Sequence, residues 1–117
     1  MELRDLVLAL MKSDALSARQ WVADATRAKL QWSEVAKPLG LDPVEMAVAA
    51  GIVELLAQRA GENSPAWTGQ VPAAPHPVIL VQSAKSMPRL LRLCEQEGPE
   101  PLRRRGILAP PDFLTAA

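Results

Sequence analysis

The stretch LDPVEMAVAAGIVELLAQRAG, Leu41 to Gly61, decides the fold. Asp42 is a strong helix N-cap, and Pro43 falls at the first helical position, where its missing N–H costs nothing. Glu45, three residues after the cap, is spaced to reach back to the Asp42 backbone N–H and close a capping box, with Leu41 and Met46 flanking it as a hydrophobic staple. The spacing predicts a helix over 43–60 that stops at Gly61, the residue type that most readily takes the left-handed C-terminal conformation. The expected polar stripe of this helix is narrow: Ala47, Gly51, Glu54 and Gln58, with Arg59 alongside. A helix apolar over most of its circumference belongs in the interior, so the expectation is an all-α protein, a small bundle of four to five helices around a central buried helix at about 43–60.

The flanks agree with that class. Leu3, Leu6, Val7, Leu10 and Met11 recur at helical spacing over residues 1–12. Ser17 and Gln20 have capping-box spacing for a second helix, expected to run to about Trp32 with Trp21, Ala25, Ala28 and Trp32 on one stripe. Residues 33–41, holding Pro38 and Gly40, read as a connection. Residues 62–77 carry Pro65, Pro72, Pro75 and Pro77 and read as a proline-rich arm, with Trp67 expected to pin it to the body. Val78 to Val81 fits a strand or a helical turn, and periodicity does not decide between them. A helix is expected from Ser86 to Glu97, ended by Gly98, with Leu90, Leu91 and Cys94 inward and Arg89 and Arg92 outward. One further turn follows over 100–105, then an extended tail over 106–117 containing Pro110, Pro111, Phe113 and Leu114.

Composition bounds the function. The chain has 117 residues, 49% of them hydrophobic, enough for one domain with a core of its own. Thirteen basic and thirteen acidic side chains cancel, where general nucleic-acid binders and polybasic membrane proteins are clearly basic. A single cysteine, Cys94, permits no internal disulfide and fits a reducing compartment. Charged residues near the N-terminus do not suit a secretory signal, and the most apolar run, Met46 to Val53, is far short of the roughly 20 residues a bilayer requires. The expected location is therefore the cytoplasm, without a membrane partner.

Catalytic and metal chemistry lack candidates. One histidine, His76, between two prolines, and one cysteine do not make a zinc set of three or four ligands. Cys94, on an apolar helix face, has the setting of an inert thiol. Neither a Gly-rich phosphate loop nor a nucleophile elbow occurs. The expectation is no catalytic, cofactor-binding or metal residues, no cofactor, and no enzyme; an active site would have to come from scattered carboxylates such as Asp24, Glu34 and Glu54. A faint helix-turn-helix rhythm over 33–52 fails on Pro38 and on a would-be recognition helix without Arg, Lys, Asn or Gln.

Charge is unevenly placed. Residues 85–106 hold six cations (Lys85, Arg89, Arg92, Arg103, Arg104, Arg105) against three anions, while residues 41–64 hold Arg59 against Asp42, Glu45, Glu54 and Glu62. These regions could pair with each other. Alternatively Arg89, Arg92, Arg103, Arg104 and Arg105, with Phe113 and Leu114 as an apolar anchor, would bind a partner, since the planar guanidinium suits carboxylates and phosphates alike. The RNA version lacks interleaved aromatic stacking platforms, so a protein partner or a homodimer is expected ahead of nucleic acid. The tail could dock in a partner groove or fold back as a cap on its own core, the fold-back being slightly favoured.

Asp42-Pro43-Val44-Glu45-Met46-Ala47, Val53-Glu54-Leu55-Leu56-Ala57, Pro65-Ala66-Trp67-Thr68, Gly98-Pro99-Glu100-Pro101-Leu102-Arg103-Arg104-Arg105 and Ala109-Pro110-Pro111-Asp112-Phe113-Leu114 together resemble a group of small uncharacterised bacterial proteins. More loosely, a Trp-containing loop followed by an Arg-Arg-Arg tail is similar to the C-terminal part of antitoxin-like partners of nucleotidyltransferase-fold toxins. Those proteins usually keep an N-terminal DNA-binding domain, which is not legible here. The resemblance implies a neutralising role in which Arg103, Arg104 and Arg105 meet the acidic metal-binding site of the partner.

Overall fold

The structure, a computed structural model, describes residues 2–115. Met1, Ala116 and Ala117, at the ends of the expected first helix and tail, lie outside the described residues. Those residues form an all-α fold: five α-helices, three short 3-10 helices and one two-stranded parallel pair.

Helix α3 (Pro43–Arg59) is the axis. Asp42 accepts from the Glu45 N–H at 2.8 Å, and the Glu45 carboxylate accepts from the Asp42 N–H at 2.9 Å, so the capping box is closed in both directions. At the other end Gly61, with φ +71°, turns the chain left-handed. Its N–H bonds Gln58 O at 3.1 Å and the next N–H, of Glu62, bonds Ala57 O at 2.9 Å, so the orphan carbonyls of the last turn are satisfied. Every residue from Ala47 to Ala57 is buried. This corrects the expected polar stripe: Ala47, Gly51 and Glu54 are all buried, and only Gln58 and Arg59 reach the surface.

Helix α1 (Leu3–Met11) packs on α3 and on α2 (Ala15–Arg27), burying Leu3, Leu6, Val7 and Leu10. The N-cap of α2 is Asp14, whose carboxylate accepts from the Ser17 N–H at 3.1 Å. Ser17 itself lies in the first turn, not at the cap. The helix also ends earlier than its tryptophan stripe implies. Lys29, at φ +55°, takes the left-handed position; its N–H bonds Thr26 O, and the Leu30 N–H bonds Ala25 O at 3.0 Å. Trp32 therefore sits in a separate 3-10 turn, Trp32–Glu34, buried, with its ring 6.1 Å from that of Trp21. Ala28, expected on the same stripe, is exposed.

The proline-rich arm is ordered around a 3-10 helix, Ala66–Gln70. Trp67 pins it as expected, donating from Nε1 to Val35 O at 2.8 Å, and Thr68 is buried against α3. The ambiguous run resolves as strand β1 (Val78–Ile79), followed by a 3-10 turn, Gln82–Lys85. Helix α4 (Pro88–Glu97) begins two residues later than expected, because Met87 is extended and Pro88 takes the first turn; α5 (Glu100–Arg103) follows directly. The tail is only partly extended. Strand β2 (Ile107–Leu108) pairs in parallel with β1, Val78 opposite Ile107 and Ile79 opposite Leu108. The chain then turns, and Leu114, 9% exposed and at φ +59°, enters the core while Phe113 packs half-buried against it.

Candidate functional site

Two glycines bring the arginine-rich segment onto the body. A Cβ built on Gly51 would lie 2.7 Å from Leu102 Cδ2 and 3.2 Å from Pro101 O. The bare face of α3 at this position therefore lets α5 approach closely enough to bury Pro101 and Leu102. At the end of α4, a Cβ on Gly98 would lie 2.5 Å from Cys94 O and 2.6 Å from Ala109 O, both backbone atoms. Only hydrogen fits where the chain entering α5 crosses the strand leaving β2.

These approaches lay residues 103–105 across Glu54. Arg105 is 5% exposed and Glu54 8%. Nη1 of Arg105 pairs with Glu54 Oε1 and reaches Pro101 O at 3.3 Å; Nη2 reaches Glu54 Oε2 at 3.3 Å and Thr68 O at 2.7 Å. Arg104, half-exposed, donates to the same Glu54 oxygen and lies 3.7 Å from Glu100. Burial by itself would raise the Glu54 carboxyl; the hydrogen bonds from Arg105 and Arg104 outweigh it and hold the group below its ordinary value. The Arg105 carbonyl also accepts from Ala74 N–H, and Gly106 O from Val78 N–H, both at 2.9 Å. One residue pair thus ties α3, the arm and the C-terminal segment together.

The seven residues expected to meet a partner are accordingly divided. Arg105 is an internal bolt and Arg104 is neutralised by two carboxylates, so the triplet does not present three free charges. Leu114 and Phe113 cover this protein's own core, with the Arg59 guanidinium bonding the carbonyls of Phe113 and, at 3.4 Å, Pro111 to hold them there. Arg89, Arg92 and Arg103 remain exposed. Among the described residues none of these three, nor Lys85, has a carboxylate within 4.0 Å.

Helical geometry aligns the three. Arg89, Arg92 and Gln96 stand at three- and four-residue spacing on one side of α4, and the Arg103 guanidinium donates to the Gln96 carbonyl, extending the row. At about 100° per residue, this side is opposite the one bearing Leu90, Leu91 and Cys94, which are half-buried or buried. Glu95 and Glu97 fall on the flanks, leaving Arg89 and Arg92 as the charges of this face, with the neutral Gln96 between them. Met87, 51% exposed, stands at the N-terminal end of α4.

The remaining chemistry-bearing groups do not converge. His76 is exposed, its Nδ1 3.1 Å from Pro77 O. Cys94 is fully buried, and burial pushes its thiol up. Asp24 is engaged by Gln20 and Arg27, Glu34 sits in the 32–34 turn, and Glu54 is under the arginines. Among the described residues no three His, Cys, Asp or Glu side chains gather into a metal-binding group, and no helix is long and apolar enough to cross a membrane. Comparison of the chain with protein-family models, with curated proteins and with solved structures finds no match.

Proposed function

We propose that this protein is a non-enzymatic protein–protein interaction module that grips an acidic surface of its partner with the outer face of α4. The supporting observation is the row of Arg89, Arg92 and Arg103, left without carboxylate partners among the described residues once Glu54 and Glu100 have taken Arg104 and Arg105. Arginines and an exposed methionine are the composition enriched in protein interfaces, and planar guanidinium groups bind carboxylates bidentately. In the more specific form of the reading, the partner is a nucleotidyltransferase-type protein, its acidic metal-binding site faces this row, and the module acts as an antitoxin-like neutraliser.

The test is affinity purification of the tagged protein, with nuclease added to half of the sample, beside the triple variant Arg89→Ala, Arg92→Ala and Arg103→Ala. The three side chains are exposed, so the variant should keep its melting temperature. A stoichiometric protein that survives nuclease and is bound at least about tenfold more weakly by the variant, a loss of about 1.4 kcal/mol, supports the module. An undiminished complex removes the α4 face from the reading. Nucleic acid that disappears with nuclease and leaves no protein behind replaces it with RNA binding, which would also weaken steeply with salt.

A further inference from the structure

The charges on the outer face of α4 are arranged in stripes. At about 100° per residue, Arg89 and Arg92 lie about 60° apart around the helix, with Gln96 between them. Glu95 lies about 60° beyond Arg92 on one side, and Glu97 about 80° beyond Arg89 on the other. All five side chains are exposed, and half-buried Leu93 stands between Arg89 and Glu97. Among the described residues neither glutamate has a cation within 4.0 Å.

This pattern selects by width. A broad polyanion laid on the arginines would also meet Glu95 and Glu97, and like charges set against each other across an interface reject the wrong partner. What fits is a ridge of carboxylates one residue wide, with basic groups on either side. The pattern also selects by length. From Arg89 to Gln96 the helix rises about 10 Å, and Arg103, donating to the Gln96 carbonyl, carries the row to the end of α4. Carboxylates three and four residues apart on a partner helix have the same axial rise as the arginines they would meet. Same-face residues of a strand recur every 6.6 Å or so, and three of them fall out of step with this row by about 3 Å.

We infer that the partner lays an acidic amphipathic helix along α4. Its file of carboxylates meets Arg89, Arg92 and Arg103, an apolar side chain covers Leu93, and its basic flanks face Glu95 and Glu97. The inference rests on the general form of the α4 reading, that this face binds protein, and adds the shape and charge pattern of what it binds.

The test is fluorescence anisotropy of the full chain with two labelled synthetic helices of about 20 residues, long enough to be helical alone. One carries glutamates in a single file with lysines on both flanks; the other has the same residues shuffled so that no file forms. Circular dichroism verifies that both peptides are helical and that every protein variant is folded. The filed helix should bind at least about tenfold more tightly than the shuffled one, and the variant Arg89→Ala, Arg92→Ala and Arg103→Ala should lose that preference. Glu95→Lys with Glu97→Lys should weaken the filed helix, whose lysines then face lysines, while strengthening polyglutamate. Equal binding of the two helices, both weakened by the arginine variant, overturns the helix and leaves α4 as a plain cationic patch for protein. Binding indifferent to the arginines overturns both readings. Failure of either helix to bind, or tighter binding of a single-stranded RNA oligonucleotide than of the filed helix, also overturns the inference.

Discussion

Replacing Glu54 with leucine should be among the most damaging single substitutions in the molecule. The change keeps similar bulk but leaves the Arg105 guanidinium buried beside Thr68 O and Pro101 O with no counter-charge. Arginine does not shed its proton to escape, and breaking a buried pair from one side costs about 3–5 kcal/mol. A domain of this size loses roughly 4 °C of melting temperature per kcal/mol, so the expected drop is on the order of 12–20 °C. Arg105→Met should cost less, about 1–3 kcal/mol, because Glu54 keeps Arg104 and can also take up a proton. The double variant, Glu54→Leu with Arg105→Met, should cost less than Glu54→Leu alone, since an apolar pair in place of an ion pair is often close to neutral. Urea unfolding of the wild type and the three variants, followed by circular dichroism, gives all four corners of the cycle, with an unchanged m-value confirming a common reference state. A cost below about 1 kcal/mol for Glu54→Leu, or strict additivity in the double variant, would refute the bolt. It would also return Arg105 to the list of residues free to meet a partner.

Two further outcomes are expected. Gly98→Ala should destabilise more than Gly51→Ala: the first sets a methyl against two backbone carbonyls, the second mainly against the end of the Leu102 side chain. Overpacking costs about 1–3 kcal/mol, and at Gly51 alanine's better helix propensity offsets close to 1 kcal/mol of it; thermal melting of the two variants gives the order, and equal losses would argue against the backbone crossing at Gly98. Because the Glu54 carboxyl is held below its ordinary value, the stability it supplies is complete above the unfolded carboxylate pKa of about 4.3 and disappears as pH falls through the lower folded value. Melting temperature should therefore fall below about pH 4.3, and Glu54→Gln, though less stable at neutral pH, should show a shallower fall.

Features determined within a few residues could be read in advance. The α3 capping box joins Asp42 to Glu45, and its chemistry is complete in four residues. Where two local signals competed, the choice was not visible. Asp14 and Ser17 are both good caps, and Asp14 prevails because Ser13, at φ +57°, has already turned the chain left-handed after α1. The stop at Lys29 is similar: lysine in the left-handed position carries none of the signal that Gly61 does, so the tryptophan stripe reads as one helix to Trp32. The larger miss, the burial of Ala47, Gly51 and Glu54, has a long-range cause. What covers Gly51 and Glu54 is α5 and Arg105, about fifty residues away, and amphipathic periodicity says nothing about such distant partners. The trace that existed was compositional: a small residue and a carboxylate in the apolar middle of the helix, with a cluster of arginines in a later segment. The opposed charge of residues 41–64 and 85–106 held that pairing as one of its readings, and the Glu54 contacts realise it. The division of the arginine triplet was beyond reach, because it depends on where the turn after Pro101 aims each side chain.

The position of Arg105 along the chain also matters for how the protein is made. Glu54 is translated 51 residues before the guanidinium that neutralises it, an interval of about 3–10 seconds at ordinary synthesis rates of 5–20 residues per second. Until then α3 has one flank bare and a carboxylate that prefers water, and Ile107, Ala109 and Leu114 have yet to fill their places in the core. A nascent chain halted before Arg105 therefore exposes apolar surface without its closing ion pair. Closure of the α3 flank waits on a segment that leaves the ribosome about fifty residues after the helix itself.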